Sequence, residues 1–94
     1  MELRIHDSIV AKIGQKHDLS SKEIEECFLN RDGNYLYDRR EDHQTIPPTL
    51  WFIAETNKGR KVKVCFISDP DGPILKTAYE PNIKEIEIYQ RYGY

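Results

Sequence analysis

Two cysteines, Cys27 and Cys65, are all that a chain of 94 residues contains. They are isolated in the sequence, and neither belongs to a Cys-x-x-Cys pair. Each sits among apolar neighbours and reads as a buried structural thiol. Long hydrophobic runs are also missing. None approaches the roughly 20 residues of a membrane span, and Met1-Glu2-Leu3-Arg4-Ile5 lacks the apolar core of a signal peptide. The expectation is a cytoplasmic protein with no membrane partner. Excess charge of one sign is absent too, since 14 Lys and Arg face 16 Asp and Glu for a formal net charge of −2. That balance excludes a broad basic face for nucleic acid and leaves room only for a local patch. The three histidines, His6, His17 and His43, show no recognised ligand spacing, so no metal site and no cofactor is expected.

What is present describes one small folded domain spanning 1–94. A hydrophobic fraction of 38% includes one Trp, six Tyr and three Phe, which is enough apolar surface for a single two-layer core and too little for a second lobe. Ile9, Val10 and Ile13 recur at helical spacing, with Asp7 placed to cap, and predict a helix from about Ser8 to Lys16. Ser20-Ser21-Lys22-Glu23 has the form of a capping box, with Leu19 positioned to staple against Ile24. The helix it starts carries Ile24, Cys27 and Phe28 on one face and ends before Asp32-Gly33.

The second half reads as sheet. Tyr35-Leu36-Tyr37 is a short strand, and Arg39 to Pro48 is a charged connection that Pro47-Pro48 keeps out of a ladder. Leu50 to Thr56 and Lys61 to Ser68 are β-favouring runs joined by Asn57-Lys58-Gly59-Arg60, hence an antiparallel hairpin. Alternation places Val62, Val64 and Phe66 on one face and Lys61, Lys63, Cys65 and Ile67 on the other, a face that should begin exposed and end buried under a helix. Of Trp51 and Phe52, Phe52 is expected to pack with Val62 to Phe66. Ile74 to Tyr79 forms the last strand, and Asn82-Ile83-Lys84-Glu85 opens a terminal helix that ends at Gly93. The class is therefore α+β: two N-terminal helices, a roughly four-stranded antiparallel sheet and a C-terminal helix.

Lys16-His17-Asp18-Leu19-Ser20, Gly59-Arg60 with Val62-Lys63-Val64-Cys65-Phe66, Thr77-Ala78-Tyr79 and Glu87-Ile88-Tyr89 together resemble the BrnT-type toxins, small ribonucleases of the RelE-like superfamily. The resemblance spans most of the chain. It departs from the family pattern at Asp18, where that pattern has Gly, at Tyr79, where it has Arg, and at Gln90-Arg91, displaced within the terminal helix. It implies a metal-independent RNA endonuclease of a toxin-antitoxin pair, with a cognate antitoxin and RNA as partners and room for a homodimer.

Cleaving RNA requires a base for the 2′-hydroxyl, cationic donors for the phosphorane and an acid for the leaving oxygen. Candidates for the chemistry are His17, Glu55 and Arg60, and for RNA contact Lys16, Arg39 and Tyr79. Each has a plainer alternative. Arg60 clamps phosphate or is an exposed hairpin arginine; His17 is an acid-base group or a helix-end histidine favoured by the macrodipole; Glu55 is a pocket-rim carboxylate or a solvated strand end. Asp38-Arg39-Arg40-Glu41-Asp42-His43 reads as a self-paired surface loop. Tyr37 and Tyr79 are the tyrosines suited to contacting bases. The competing function is a non-catalytic protein-binding module on the same scaffold, or a small hydrolase.

Overall fold

The computed structural model describes residues 2–39 and 46–94. Its elements are α1 (Asp7–His17), α2 (Ser21–Asn30), β1 (Leu36–Tyr37), β2 (Thr49–Glu55), β3 (Lys61–Ile67), β4 (Ile74–Tyr79) and α3 (Ile83–Tyr92). The four strands form one antiparallel sheet in sequence order, β1-β2-β3-β4. This is the α+β arrangement that the order of patterns predicts.

Residues paired across an antiparallel ladder share a face, so the register sorts the core. Leu50, Phe52 and Ala54 of β2 pair with Phe66, Val64 and Val62 of β3. That face is covered by α2. Phe28 meets Phe52 and Phe66 edge-on, with ring centroids 4.8 and 5.2 Å away, a geometry that aromatic quadrupoles favour. Phe52 is fully buried, as expected of it. The opposite face carries Trp51, Ile53, Lys63 and Cys65 and lies under α3, whose Tyr89 ring stands 5.6 Å from that of Trp51. With helices on both sides, Trp51 and Phe52 are both buried even though they point in opposite directions. Along β3 the second face runs from exposed Lys61 to buried Lys63 and Cys65.

The helix starts differ in how they are capped. Ser20 accepts from the Glu23 N–H at 3.2 Å while the Glu23 carboxylate accepts from Ser20 N–H at 3.1 Å, and buried Leu19 and Ile24 join the core on either side of this cap. In α1 the N-cap is His6, without a side-chain bond, and Asp7 is already helical. A carboxylate in the first turn still favours the helix through its dipole. Val10 is 39% exposed, so Ile13, with Ile9 half-buried, carries the apolar side of α1.

Chain reversals use few special conformations. In the hairpin Thr56 N–H donates to the Arg60 carbonyl at 2.9 Å and Gly59 takes φ 82°, a value that costs glycine nothing. Asn57 is tied to α2, accepting from Asn30 Nδ2 through Oδ1 at 2.9 Å and donating its N–H to Glu26 at 3.0 Å. The N-terminal segment runs beside β4: Arg4 N–H donates to Pro73, Leu75 N–H donates to Arg4, both at 2.9 Å, and the Arg4 guanidinium holds Asp69 at 2.6 Å. Part of the β4 edge is thereby closed to other strands.

Candidate functional site

Glu85 is the third residue of α3 and completes its capping box, its Oε1 accepting from Asn82 N–H at 3.0 Å. The other oxygen, Oε2, accepts from Lys63 Nζ and from the Tyr79 hydroxyl, both at 2.8 Å. One carboxylate thus joins the start of α3 to the middle of β3 and the end of β4. Lys63 and Tyr79 are register partners on neighbouring strands, which places both side chains on the α3 side of the sheet. The Lys63 ammonium also lies 4.5 Å from the centre of the Trp51 ring and 5.6 Å from that of Tyr79, within cation–π range. The His17 ring approaches Tyr79 from the end of α1, at 5.8 Å between centroids.

The titration behaviour follows from this packing. Burial is the largest single influence and works against the Lys63 charge, but the bond to Glu85 together with Cys65 and Tyr79 outweighs it and raises the ammonium above its ordinary 10.5. Burial likewise opposes the Glu85 charge, and the donors from Lys63, Asn82 and Tyr79 overcome it, holding the carboxyl below its ordinary 4.5. Tyr79 is raised above 10.0, by burial first and by the Glu85 bond next. At neutral pH the trio is therefore an ammonium, a carboxylate and an intact phenol.

Beside the trio a groove of about 750 Å³ runs along α3 toward β1, lined by Trp51, Lys63 and Glu85 together with Tyr37, Arg39 and Tyr92. Its aromatic walls suit a ligand with flat rings, and its charged members balance, Lys63 and Arg39 against Glu85 and Asp38. On the other side of α3, toward the hairpin, lies a more polar cleft of about 540 Å³ that includes Glu55, Lys61, Asn30 and Tyr94.

The residues singled out from sequence fall into three places. His17 and Arg60 come together through the backbone: the Arg60 guanidinium donates to the carbonyls of His17 and Asp18, each at 2.6 Å. Arg60 thus closes the carboxyl end of α1, and the donors expected for a phosphate are engaged there. Glu55 is separate, paired with Lys61 at 3.2 Å on the exposed hairpin and lining the polar cleft. Tyr79 belongs to the Glu85 cluster, and Arg39 lines the adjoining groove. Lys16 lies exposed in the last turn of α1. Arg40, Glu41, Asp42 and His43 lie outside the described residues.

Sequence reasoning missed Lys63 and Glu85. In sequence Lys63 is one residue of a face that passes under a helix and Glu85 is a cap; the signal lies in the lysine being flanked by Val62, Val64 and Cys65 in a strand. Cys27 and Cys65 are both buried, and burial together with Glu26 and Glu23 pushes the Cys27 thiol up to about 12, far from a reactive thiolate. Among the described residues no group of three or more His, Cys, Asp and Glu is placed to hold a metal ion, and no helix is long and apolar enough to cross a membrane. No family model, curated protein or solved structure matches the chain.

Proposed function

We propose that this protein is a toxin-like RNA endonuclease, cleaving by metal-independent transesterification and held inactive by a cognate antitoxin. The observation that supports it is the convergence of Lys63, Tyr79 and Glu85 on one point of the sheet, with His17 against Tyr79 and an aromatic groove alongside. The chemistry divides among these groups. The His17 imidazole takes the 2′-hydroxyl proton, the 2′-oxygen attacks phosphorus, and the Lys63 ammonium balances the charge that builds on the phosphorane. The Tyr79 phenol, protonated at neutral pH, gives its proton to the departing 5′-oxygen, leaving a 2′,3′-cyclic phosphate. Arg39, Tyr37 and Tyr92 line the path of the neighbouring nucleotides.

A second reading, a non-catalytic protein-binding module on the same scaffold, is favoured by one observation: Lys63 and Glu85 already neutralise each other at 2.8 Å. Expression in a host without the antitoxin separates the two. The nuclease arrests growth and leaves RNA fragments with 2′,3′-cyclic phosphate ends, and His17→Ala relieves the arrest through a rate loss of about 10²-fold or more. A wild-type chain that is harmless and leaves cellular RNA intact overturns the nuclease reading in favour of the binding module.

A further inference from the structure

We infer that Glu85 occupies an oxyanion site that the protein has built for a phosphoryl group, so that the resting molecule blocks its own phosphate subsite. The proposal rests on the RNA reading for the identity of that phosphate, though not for the existence of the site.

Three donors of different origin meet at the Glu85 carboxylate: the Lys63 ammonium at 2.8 Å, the Tyr79 hydroxyl at 2.8 Å and the Asn82 backbone N–H at 3.0 Å. The first two converge on a single oxygen. This combination, a cation, a hydroxyl and an N–H from the N-cap of a helix, is of the kind that binds phosphate oxygens in proteins generally. The lysine is not a surface group that happened to find a partner. Its side chain is 8% exposed, against 17% for that of Glu85, and it is held over Trp51 inside a strand. A buried ammonium at this depth needs an anion, and in the free protein the anion is internal.

Glu85 can leave where Lys63 cannot. It enters from α3, opens onto the groove, and the N–H of residue 85 stays capped by Asn82 Oδ1 at 2.8 Å whatever the residue 85 side chain does. A phosphate arriving along the groove therefore exchanges one anion for another on the same donors, and its apparent affinity is reduced by the fraction of molecules in which Glu85 is seated.

The test is titration of wild-type protein and Glu85→Gln with inorganic phosphate at constant ionic strength, followed by backbone and side-chain NMR shifts. Glu85→Gln removes the competing charge and keeps an amide oxygen for Asn82 N–H. Phosphate should bind the variant roughly tenfold or more tightly than wild type, moving signals of Lys63, Tyr79 and Asn82, and Lys63→Met in that background should abolish the binding. Equal affinity for wild type and variant, or shifts confined to other regions, overturns the proposal. Glu85→Ala is the second variant. Should either variant be folded but strongly destabilised, a rise in its thermal midpoint with phosphate over chloride supports the site, and no rise overturns it. A parallel titration with a short single-stranded oligoribonucleotide separates the two readings. Phosphate binding with no oligoribonucleotide binding keeps the oxyanion site and removes the RNA assignment.

Discussion

Arg60 closes the first helix from across the molecule, its two terminal nitrogens donating to the carbonyls of His17 and Asp18 at 2.6 Å each. Helix ends leave carbonyls without partners, and here a side chain of the β2–β3 hairpin supplies them. Arg60→Ala should accordingly lower stability, by about 1.5–3 kcal/mol from the loss of charged hydrogen bonds. Urea denaturation checks it. A variant with unchanged stability would show that the guanidinium is free to serve elsewhere.

The same helix end carries a second test. Asp18 stands at φ 52°, a left-handed conformation that costs most L-residues about 1–2 kcal/mol, though Asp tolerates it better. Asp18→Gly should therefore stabilise the protein, by up to about 1 kcal/mol once the added freedom of the unfolded glycine is counted. A lowered thermal midpoint would mean that the Asp18 side chain contributes more than its backbone costs.

Lys63 and Glu85 should fail singly and tolerate joint replacement. Lys63 is buried and Glu85 half-buried, so removing one member strands the other at up to about 3–5 kcal/mol, the value for a fully buried pair, whereas replacing both with apolar residues is often neutral. Lys63→Met and Glu85→Leu measured alone and together close a double-mutant cycle, and additive losses would contradict the coupling.

The pH dependence of that pair has a definite sign. Glu85 is depressed below 4.5 in the folded state, so its contribution is present above 4.5 and is lost as pH falls through the lower folded value. Lys63 is raised above 10.5, so its contribution is complete below 10.5 and is lost as pH rises through the higher folded value. Stability in wild type minus stability in the double variant should be flat between about pH 5 and 10 and fall on both sides. A difference that changes near neutral pH would point to another titrating group.

Gly33 marks where the end of α3 meets the loop after α2. A Cβ placed there would lie 2.5 Å from the Tyr89 hydroxyl and 3.0 Å from the Gly93 carbonyl, and Tyr89 is fixed by its own bond to the Asn34 carbonyl at 2.8 Å. Gly33→Ala should cost about 1–3 kcal/mol through overpacking. Adding Tyr89→Phe, which deletes the nearest atom, should recover part of the loss in thermal denaturation. A Gly33→Ala protein as stable as wild type would show that the loop gives way.

Element order and the pairing of β2 with β3 were legible because the signals are local. The two capping boxes, the Asn-Lys-Gly-Arg turn and the alternation of β3 each need only a few consecutive residues. The candidate site was harder to read because its members are distant in the chain and have ordinary local meanings. Glu85 satisfies a helix cap with one oxygen and the sheet with the other, and only the first use can be read from neighbouring residues. Arg60 shows the converse: an arginine in a hairpin has the right chemistry for a phosphate, yet its partners are carbonyls 42 and 43 residues earlier in the chain.

The strands pair strictly in the order in which they occur, β1 to β2 to β3 to β4, and this bears on how quickly the chain folds. Each pairing closes a loop between neighbours in sequence, so the entropy of ordering the sheet is met in small steps. The joining of Arg4 to Ile74 and of Arg60 to the end of α1 spans much longer loops. The hairpin should be the early-formed part of the transition state and the N-terminal segment a late arrival, with substitutions at Ala54 or Val62 slowing folding and those at Arg4 chiefly speeding unfolding.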